Sequence, residues 1–201
     1  MKKLTSLTLA LCLACPLSAQ TIANMKDLTA GKKAAATSVK LTGTLTTKGN
    51  SDIRQLRDLC WQLKHVDLST ANCPTLPANA FHSRHRLESV VLPANLKSIG
   101  TQAFFACDAL KQLTLPATLE EVGAAAFSGC SNLESITIEG APRLGGFAFR
   151  GCNNLRSIKL LSKVPPQCDA TAFEGVDIEK CHIEVPAGSE ENYRRAAGWR
   201  R

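Results

Sequence analysis

The sequence predicts a solenoid of short, stacked parallel strands. Three observations point to it. Phe81, Phe104, Phe127, Phe149 and Phe173 recur at steps of 23, 23, 22 and 24, each directly after an alanine. Between them runs a second pattern, Leu-x-x-aliphatic-x-aliphatic, at Leu87-Val90-Leu92, Leu110-Leu113-Leu115, Leu133-Ile136-Ile138 and Leu155-Ile158-Leu160. Both registers share one period, and a fixed period of about 20–30 residues is the mark of a repeat array.

The physics of such a unit explains the pattern. One repeat cannot bury its own apolar face, so neighbours stack and close a continuous core. The last two apolar positions alternate, which is strand spacing, so both point inward and the residues between them point out. One strand per unit, stacked in parallel at roughly 5 Å, gives a single curved sheet. The phenylalanines form a second internal column under the opposite wall, and five of the seven in the chain belong to it.

The unit Ala-Phe-x-x-Cys-x-x-Leu-x-x-aliphatic-x-aliphatic-Pro resembles the BspA-type leucine-rich repeat. Ala103-Phe104, Cys107, Leu110, Leu113, Leu115 and Pro116 fit it at every position. The unit of Phe127 and Cys130 has Glu139 at the proline place, and that of Phe149 and Cys152 has Leu161. The unit of Phe81 has Arg84 where the cysteine belongs. The resemblance implies a leucine-rich-repeat solenoid of α/β type: a right-handed superhelix with short parallel strands on the concave face and few helices. It also implies a secreted or cell-surface protein of a host-associated microbe, and several such proteins look like adhesins.

Taken in order, Met1-Lys2-Lys3, the apolar run from Leu4 to Cys15 and Leu17-Ser18-Ala19 read as a signal peptide over residues 1–19, too short to span a membrane. Lipoprotein processing at Cys15 is the competing reading, with Cys12 standing where a leucine is expected. Residues 20–37, rich in Ala, Thr and Lys, read as a leader or linker. Residues 38–201 form the repeat domain. Its N-terminal strand–helix cap covers 38–70: Val39-Leu41-Gly43-Leu45 alternates as a strand, and Ile53, Leu56, Leu59, Cys60 and Leu63 share one helical face. Repeats cover 71–178. The last is altered, with one extra residue between Phe173 and Ile183 and with Ile178 near the leucine position. A C-terminal helix cap covers 179–201, with Ser189 as its N-cap and Glu190 and Glu191 at the positive end of the helix. Its Val-Pro-Ala-Gly-Ser, Tyr193 and Gly198-Trp199 resemble the ending of many such arrays, and no sorting domain is expected beyond Arg201.

Nine cysteines are present, and seven remain after the signal. Cys107, Cys130 and Cys152 share one repeat position and read as a ladder of small buried thiols. A column of identical positions makes a line and not the tetrahedron a metal needs, so no metal is expected. Cys60 lies on the apolar helix face, and Cys73 is left open. Cys168 and Cys181 flank the irregular coil. The resemblance and an oxidising destination imply a disulfide between them.

The motifs of catalysis are missing: no phosphate-cradling glycine loop and no nucleophile elbow appears. His82 and His85 sit beside Arg84 and Arg86, whose charge disfavours a cation. His65, Asp67 and Ser89 have the residue types of a triad but no oxyanion hole. The outward face of the sheet is the candidate ligand-binding surface, in three columns. The first is Lys64, Glu88, Lys111, Glu134 and Arg156, the second His65, Ser89, Gln112, Ser135 and Ser157, the third Asp67, Val91, Thr114, Thr137 and Lys159. The first column alternates in sign and reads as cross-strand ion pairs. No Trp or Tyr is assigned to this face, although aromatics dominate protein-binding hot spots.

The net charge of +7 falls to +5 when Lys2 and Lys3 leave. The basic cluster of Arg194, Arg195, Arg200 and Arg201 reads as a solvated helix end, and nucleic acid is not an expected partner. The expectation is an exported protein, destined for the medium, the cell surface or the periplasm. It acts as a non-catalytic protein-binding module without cofactor, adhesive or host-interacting, with a host extracellular protein as the expected partner, and touches a membrane only if lipidated. A structural role in the envelope without a host ligand is the alternative.

Overall fold

The computed structural model describes residues 20–22, 35–46 and 51–199. The signal peptide assigned to residues 1–19, and Arg200 and Arg201, lie outside the described residues. Strands β1 (Gln20–Ile22), β2 (Ser38–Leu41) and β3 (Gly43–Thr44) come first, then helix α1 (Asp52–Leu59). Two strands per coil follow. One set is β4 (His65–Asp67), β7 (Ser89–Val91), β9 (Gln112–Leu115), β11 (Ser135–Ile138), β13 (Ser157–Leu160) and β15 (His182–Glu184). The other is β5 (Ala71–Asn72), β6 (Thr75–Leu76), β8 (Ser98–Ile99), β10 (Glu121–Val122), β12 (Arg143–Leu144) and β14 (Gln167–Cys168). Helix α2 (Glu190–Arg195) ends the chain of elements.

All strand pairs are parallel, as a coil that returns once per repeat requires. The wall expected as one sheet is hydrogen-bonded in two parts, β1-β2-β4-β7 and β9-β11-β13-β15. Within the stretch read as a leader, Gln20–Ile22 form the outer strand of the first part.

A second wall was not anticipated. Strands β6, β8, β10, β12 and β14 make a five-stranded parallel sheet across the core. Each contributes one inward side chain, in register from Leu76 through Ile99, Val122 and Leu144 to Cys168. Two residues are too few to display alternation, so periodicity alone does not reveal these strands. Their turn-side neighbour does: a glycine follows at 100, 123 and 145. A Cβ at Gly100 would stand 2.4 Å from the Ala78 nitrogen, and one at Gly123 2.7 Å from the Thr101 nitrogen. The coils approach too closely there for any side chain.

The third side is built by the Ala-Phe pairs. The Phe81, Phe104, Phe127 and Phe149 amides donate to the carbonyls of Ala103, Ala126, Ala148 and Ala172 on the next coil, at 2.6–2.8 Å. Small alanines let the coils close to this distance. The four phenylalanine rings are fully buried. Ring neighbours from Phe81 to Phe173 lie 5.1–5.3 Å apart with planes within 18°, and each such pair adds about 0.5–1.5 kcal/mol beyond area burial.

Helix α1 begins at Ser51, whose hydroxyl accepts from the Arg54 amide at 3.1 Å. Ile53, Leu56, Cys60 and Leu63 are buried as the pattern requires. Leu59 is 44% exposed, because the helix ends there and the chain turns away before Cys60 returns to the core.

The residue added in the last coil is absorbed by a 3-10 turn at Ile178–Lys180. Ile178 is left half-buried, and Cys181 takes the inward place beside β15, its thiol donating to the Leu155 carbonyl at 3.2 Å. Cys168 lies in the other wall, against Gly198 and Trp199. Cys168 and Cys181 thus stand in different walls of the coil, and the disulfide implied by the resemblance is not shown.

Helix α2 also departs from expectation. Ser189 stands at its N-cap, but its hydroxyl donates to the Pro186 carbonyl at 2.6 Å and makes no cap bond. The helix is held instead on the 161–166 loop. Tyr193 Oη donates to Ser162 O at 2.8 Å, Asn192 Nδ2 to Lys163 O at 3.3 Å, and Trp199 Nε1 to Pro166 O at 2.8 Å.

Candidate binding face

The strand register aligns the residues of the columns read from sequence within each of the two parts of the wall. His65 pairs with Ser89 and Asp67 with Val91. Gln112, Ser135 and Ser157 align, as do Thr114, Thr137 and Lys159. The register adds Ser38 and Lys40 at one end and His182 and Glu184 at the other.

The structure brings only part of the first column together as ion pairs. Lys64 Nζ lies 2.9 Å from Glu88 Oε1, and the Lys64 ammonium holds the Glu88 carboxyl below its ordinary range. Arg156 turns aside, its guanidinium donating to the Asn153 and Leu155 carbonyls at 2.9 and 2.8 Å. Among the described residues, Lys111 and Glu134 form no ion pair with their column neighbours. The reason is reach: a backbone carbonyl one or three residues away costs Arg156 less side-chain order than a carboxylate on the next coil.

In the second column, His65 Nδ1 and Ser89 Oγ are 2.9 Å apart. In the third, Lys40 Nζ meets Asp67 at 2.9 Å and Lys159 meets Glu184 at 3.0 Å. Burial pushes the Asp67 carboxyl up, but hydrogen bonds from Ser69 and Lys40 outweigh it and hold the group below the usual carboxylate range. The outcome is a face with paired charges at its ends and Gln, Ser and Thr in the middle.

His82 and His85 do not converge. His85 Nδ1 lies 2.7 Å from Asp108 Oδ2, while the His82 ring stacks on Phe105 at 5.0 Å. His65 and Asp67 take different partners, Ser89 and Lys40, so no relay connects them.

The ladder thiols are structural. Cys107, Cys130 and Cys152 donate to the carbonyls of Phe81, Phe104 and Phe127 at 3.1–3.3 Å. Burial pushes Cys107 and Cys152 up to about 12 and Cys130 well above its ordinary value. Cys168 borders a shallow cleft of about 380 Å³ beneath α2, and burial pushes it up to about 12 as well, which makes it a poor nucleophile. Arg194 and Arg195 both lie 2.6 Å from Glu191.

Sequence reasoning missed Trp61. It follows α1 and is 57% exposed, whereas the second tryptophan, Trp199, is 5% exposed. Its neighbour Gln62 accepts a hydrogen bond from the Arg86 guanidinium on the next coil, which places Trp61 at the rim where the chain enters the strand face. The signal was available: Trp61 falls outside the Ile53-Leu56-Cys60-Leu63 stripe of its own helix.

The chain matches the BspA type leucine rich repeat region over residues 74–191, in 6 copies. It is similar to the solved leucine-rich repeat protein of T. pallidum, with 26% identity and a TM-score of 0.50 over 63% of this chain and 60% of that one. A leucine-rich repeat protein from Bacteroides ovatus is similar at 22% identity and a TM-score of 0.50, over 83% of this chain and 41% of that one. The pneumococcal vaccine antigen PcpA is similar at 18% identity and a TM-score of 0.57, over 89% and 38%. The last two likenesses concern the fold alone. The chain thus spans less than two thirds of the length of each of these three proteins. No curated protein matches it.

Proposed function

We propose that this chain, which belongs to the BspA-type leucine-rich repeat family, is an exported and non-catalytic module that binds a host extracellular protein through the outward face of its strand wall. Repeat proteins of this family serve protein interaction. The observation that carries the finer reading is the face itself. Solvent-directed residues on β9, β11 and β13 align in rows, with Gln112, Ser135, Ser157, Thr114 and Thr137 offering uncharged donors and acceptors. Such a surface suits a broad polar contact, and curved repeat arrays present extended surfaces of this kind.

Export is supported by the basic start, short apolar run and small-residue site before Gln20, the residue at which β1 begins. No helix among the described residues is long and apolar enough to cross a membrane.

The test is binding of the chain to a panel of host matrix proteins, beside a variant with Lys111, Ser135 and Thr137 changed to glutamate. Binding by the parent that the variant loses supports the reading. Absence of binding by the parent favours an envelope role without a host ligand, and strictly periplasmic fractionation sinks the adhesive one.

A further inference from the structure

We propose that Trp61 and the Arg84–Arg86 turn beside it form the anchor of this face and take an acidic peptide segment of the partner that carries an apolar side chain. The proposal rests on the reading of the chain as a protein-binding module and names where the contact begins. Three independent observations lead to it.

The first is the exposure of Trp61. Gln62 is tied to Arg86, Lys64 to Glu88 and His65 to Ser89, so the chain runs from Trp61 directly onto the strand face with the next coil alongside. An indole in that position offers a rigid apolar plate at the edge of a polar surface. Trp and Arg are the residues most enriched where binding energy concentrates.

The second is a break in the repeat. The turns after Phe104, Phe127 and Phe149, residues 105–109, 128–132 and 150–154, carry one charged residue each at most, and the turn after Phe173 carries only the carboxylates Glu174 and Asp177. The turn after Phe81 reads His82-Ser83-Arg84-His85-Arg86 and contains no carboxylate. Arg84 takes the place of the ladder cysteine, and its Nε is buried without a hydrogen-bond partner. The fold gains nothing from this exchange, and rules of the fold are broken mainly where function requires it. His85 is engaged by Asp108 and Lys64 by Glu88. Arg86 is held by a neutral amide, so Arg84 and Arg86 form no ion pair among the described residues. The Arg86 guanidinium stands on Gln62, the residue after Trp61, with Arg84 two residues before it on the same turn, and guanidinium groups select carboxylates, which they bind in a forked geometry.

The third is Val91, 50% exposed on the same pair of coils and paired in register with Asp67. Trp61 lies six residues before Asp67, the register partner of Val91, and the turn closed by the Leu63 amide on the Cys60 carbonyl shortens the path, so the span is at most about 20 Å, within reach of an extended segment of about six residues. An apolar contact stands at each end, with His65 and Ser89 between.

The test uses the full chain and the fact that it holds two tryptophans, one exposed and one buried. The probe is a synthetic 12-residue peptide of glutamate and glycine with one phenylalanine and one leucine five residues apart. Its controls replace glutamate by lysine, or the two apolar residues by serine. The expected result is that the acidic peptide shields the exposed indole from acrylamide at least fivefold better than either control. Calorimetry is then expected to show at least tenfold weaker binding for Trp61→Ala and at least fivefold weaker binding for Arg84→Cys. Arg84→Cys also restores the ladder, so its denaturation midpoint should rise, which separates lost binding from lost folding. Equal shielding by the lysine peptide, or none by the acidic one, overturns the proposal. So does shielding by dextran sulfate or a neutral oligosaccharide in place of the peptide. A host protein bound equally by the parent and Trp61→Ala overturns the anchor alone, whereas a parent that binds no protein overturns the wider function.

Discussion

Trp199 meets Phe173 edge-on, with ring centroids 5.5 Å apart and planes at 66°, and ends a column whose earlier neighbours are all stacked face to face. The same indole lies 6.0 Å from the Tyr193 ring at 79° and donates to the Pro166 carbonyl. One side chain therefore covers the last ring, ties α2 to the 161–166 loop and satisfies its own polar atom. Trp199→Ala should lower stability by about 3–5 kcal/mol, the range for deleting a buried large aromatic. Urea denaturation checks it, and Trp199→Phe should recover most of the packing but not the hydrogen bond.

The turn after each ladder phenylalanine requires a left-handed residue. Ser83, Ala106, Gly129, Gly151 and Gly175 occupy it with φ from 54° to 78°. Side chains with a Cβ pay about 1–2 kcal/mol there, partly returned by the lower chain entropy of a non-glycine residue. Ala106→Gly should raise stability by about 0.5–1 kcal/mol, and Gly129→Ala should lower it by a similar amount. Opposite shifts in the thermal midpoints of the two variants are the expected reading.

Gly123 permits no such exchange for a different reason. A Cβ would lie 2.7 Å from the Thr101 nitrogen and 2.9 Å from the Ile99 carbonyl oxygen, both backbone atoms that cannot swing aside. Gly123→Ala should cost about 3 kcal/mol, at the upper end of overpacking changes, and denaturant titration reads it.

Asp67 makes the strand face sensitive to acid. Its carboxyl is depressed by Ser69 and Lys40 against the opposing effect of burial, so the folded state holds it charged more firmly than the unfolded chain does. The stabilisation is complete above the ordinary carboxylate pKa of about 4 and is lost as pH falls through the lower folded value. With the Asp67 side chain 34% exposed, solvent screening limits the contribution to below about 1 kcal/mol. Asp67→Asn should therefore destabilise at pH 7, by an amount that shrinks as the pH is lowered below about 4, as denaturation curves at a series of pH values would show.

The thiol ladder should be chemically silent. With burial holding Cys107 and Cys152 near 12, alkylation at pH 8 is expected to leave Cys107, Cys130 and Cys152 unmodified in the native chain and to modify all three in denaturant. Mass spectrometry of the labelled peptides gives the answer, and native labelling of Cys130 would contradict the packing.

The solenoid was legible because its determinants are local and repeated. Phe104 and Leu113 each declare an inward position, and the next coil declares it again 23 residues later. The columns of the strand face followed from the same arithmetic, down to the alignment of Ser135 with Ser157. What the period could not carry was partner choice. Arg156 turns to nearby carbonyls and Cys181 to the Leu155 carbonyl, because each is decided by distances across the coil and not by spacing along it. The second wall escaped since its strands are two residues long. Trp61 escaped since its exposure depends on where α1 stops relative to the first coil. The sequence by itself determined a repeating core and its facing rows, since burial of one apolar set per period admits one stacking. The tertiary structure alone decided which charges meet, which thiols stay apart and which tryptophan reaches solvent, since those outcomes depend on contacts between coils whose separation no period encodes.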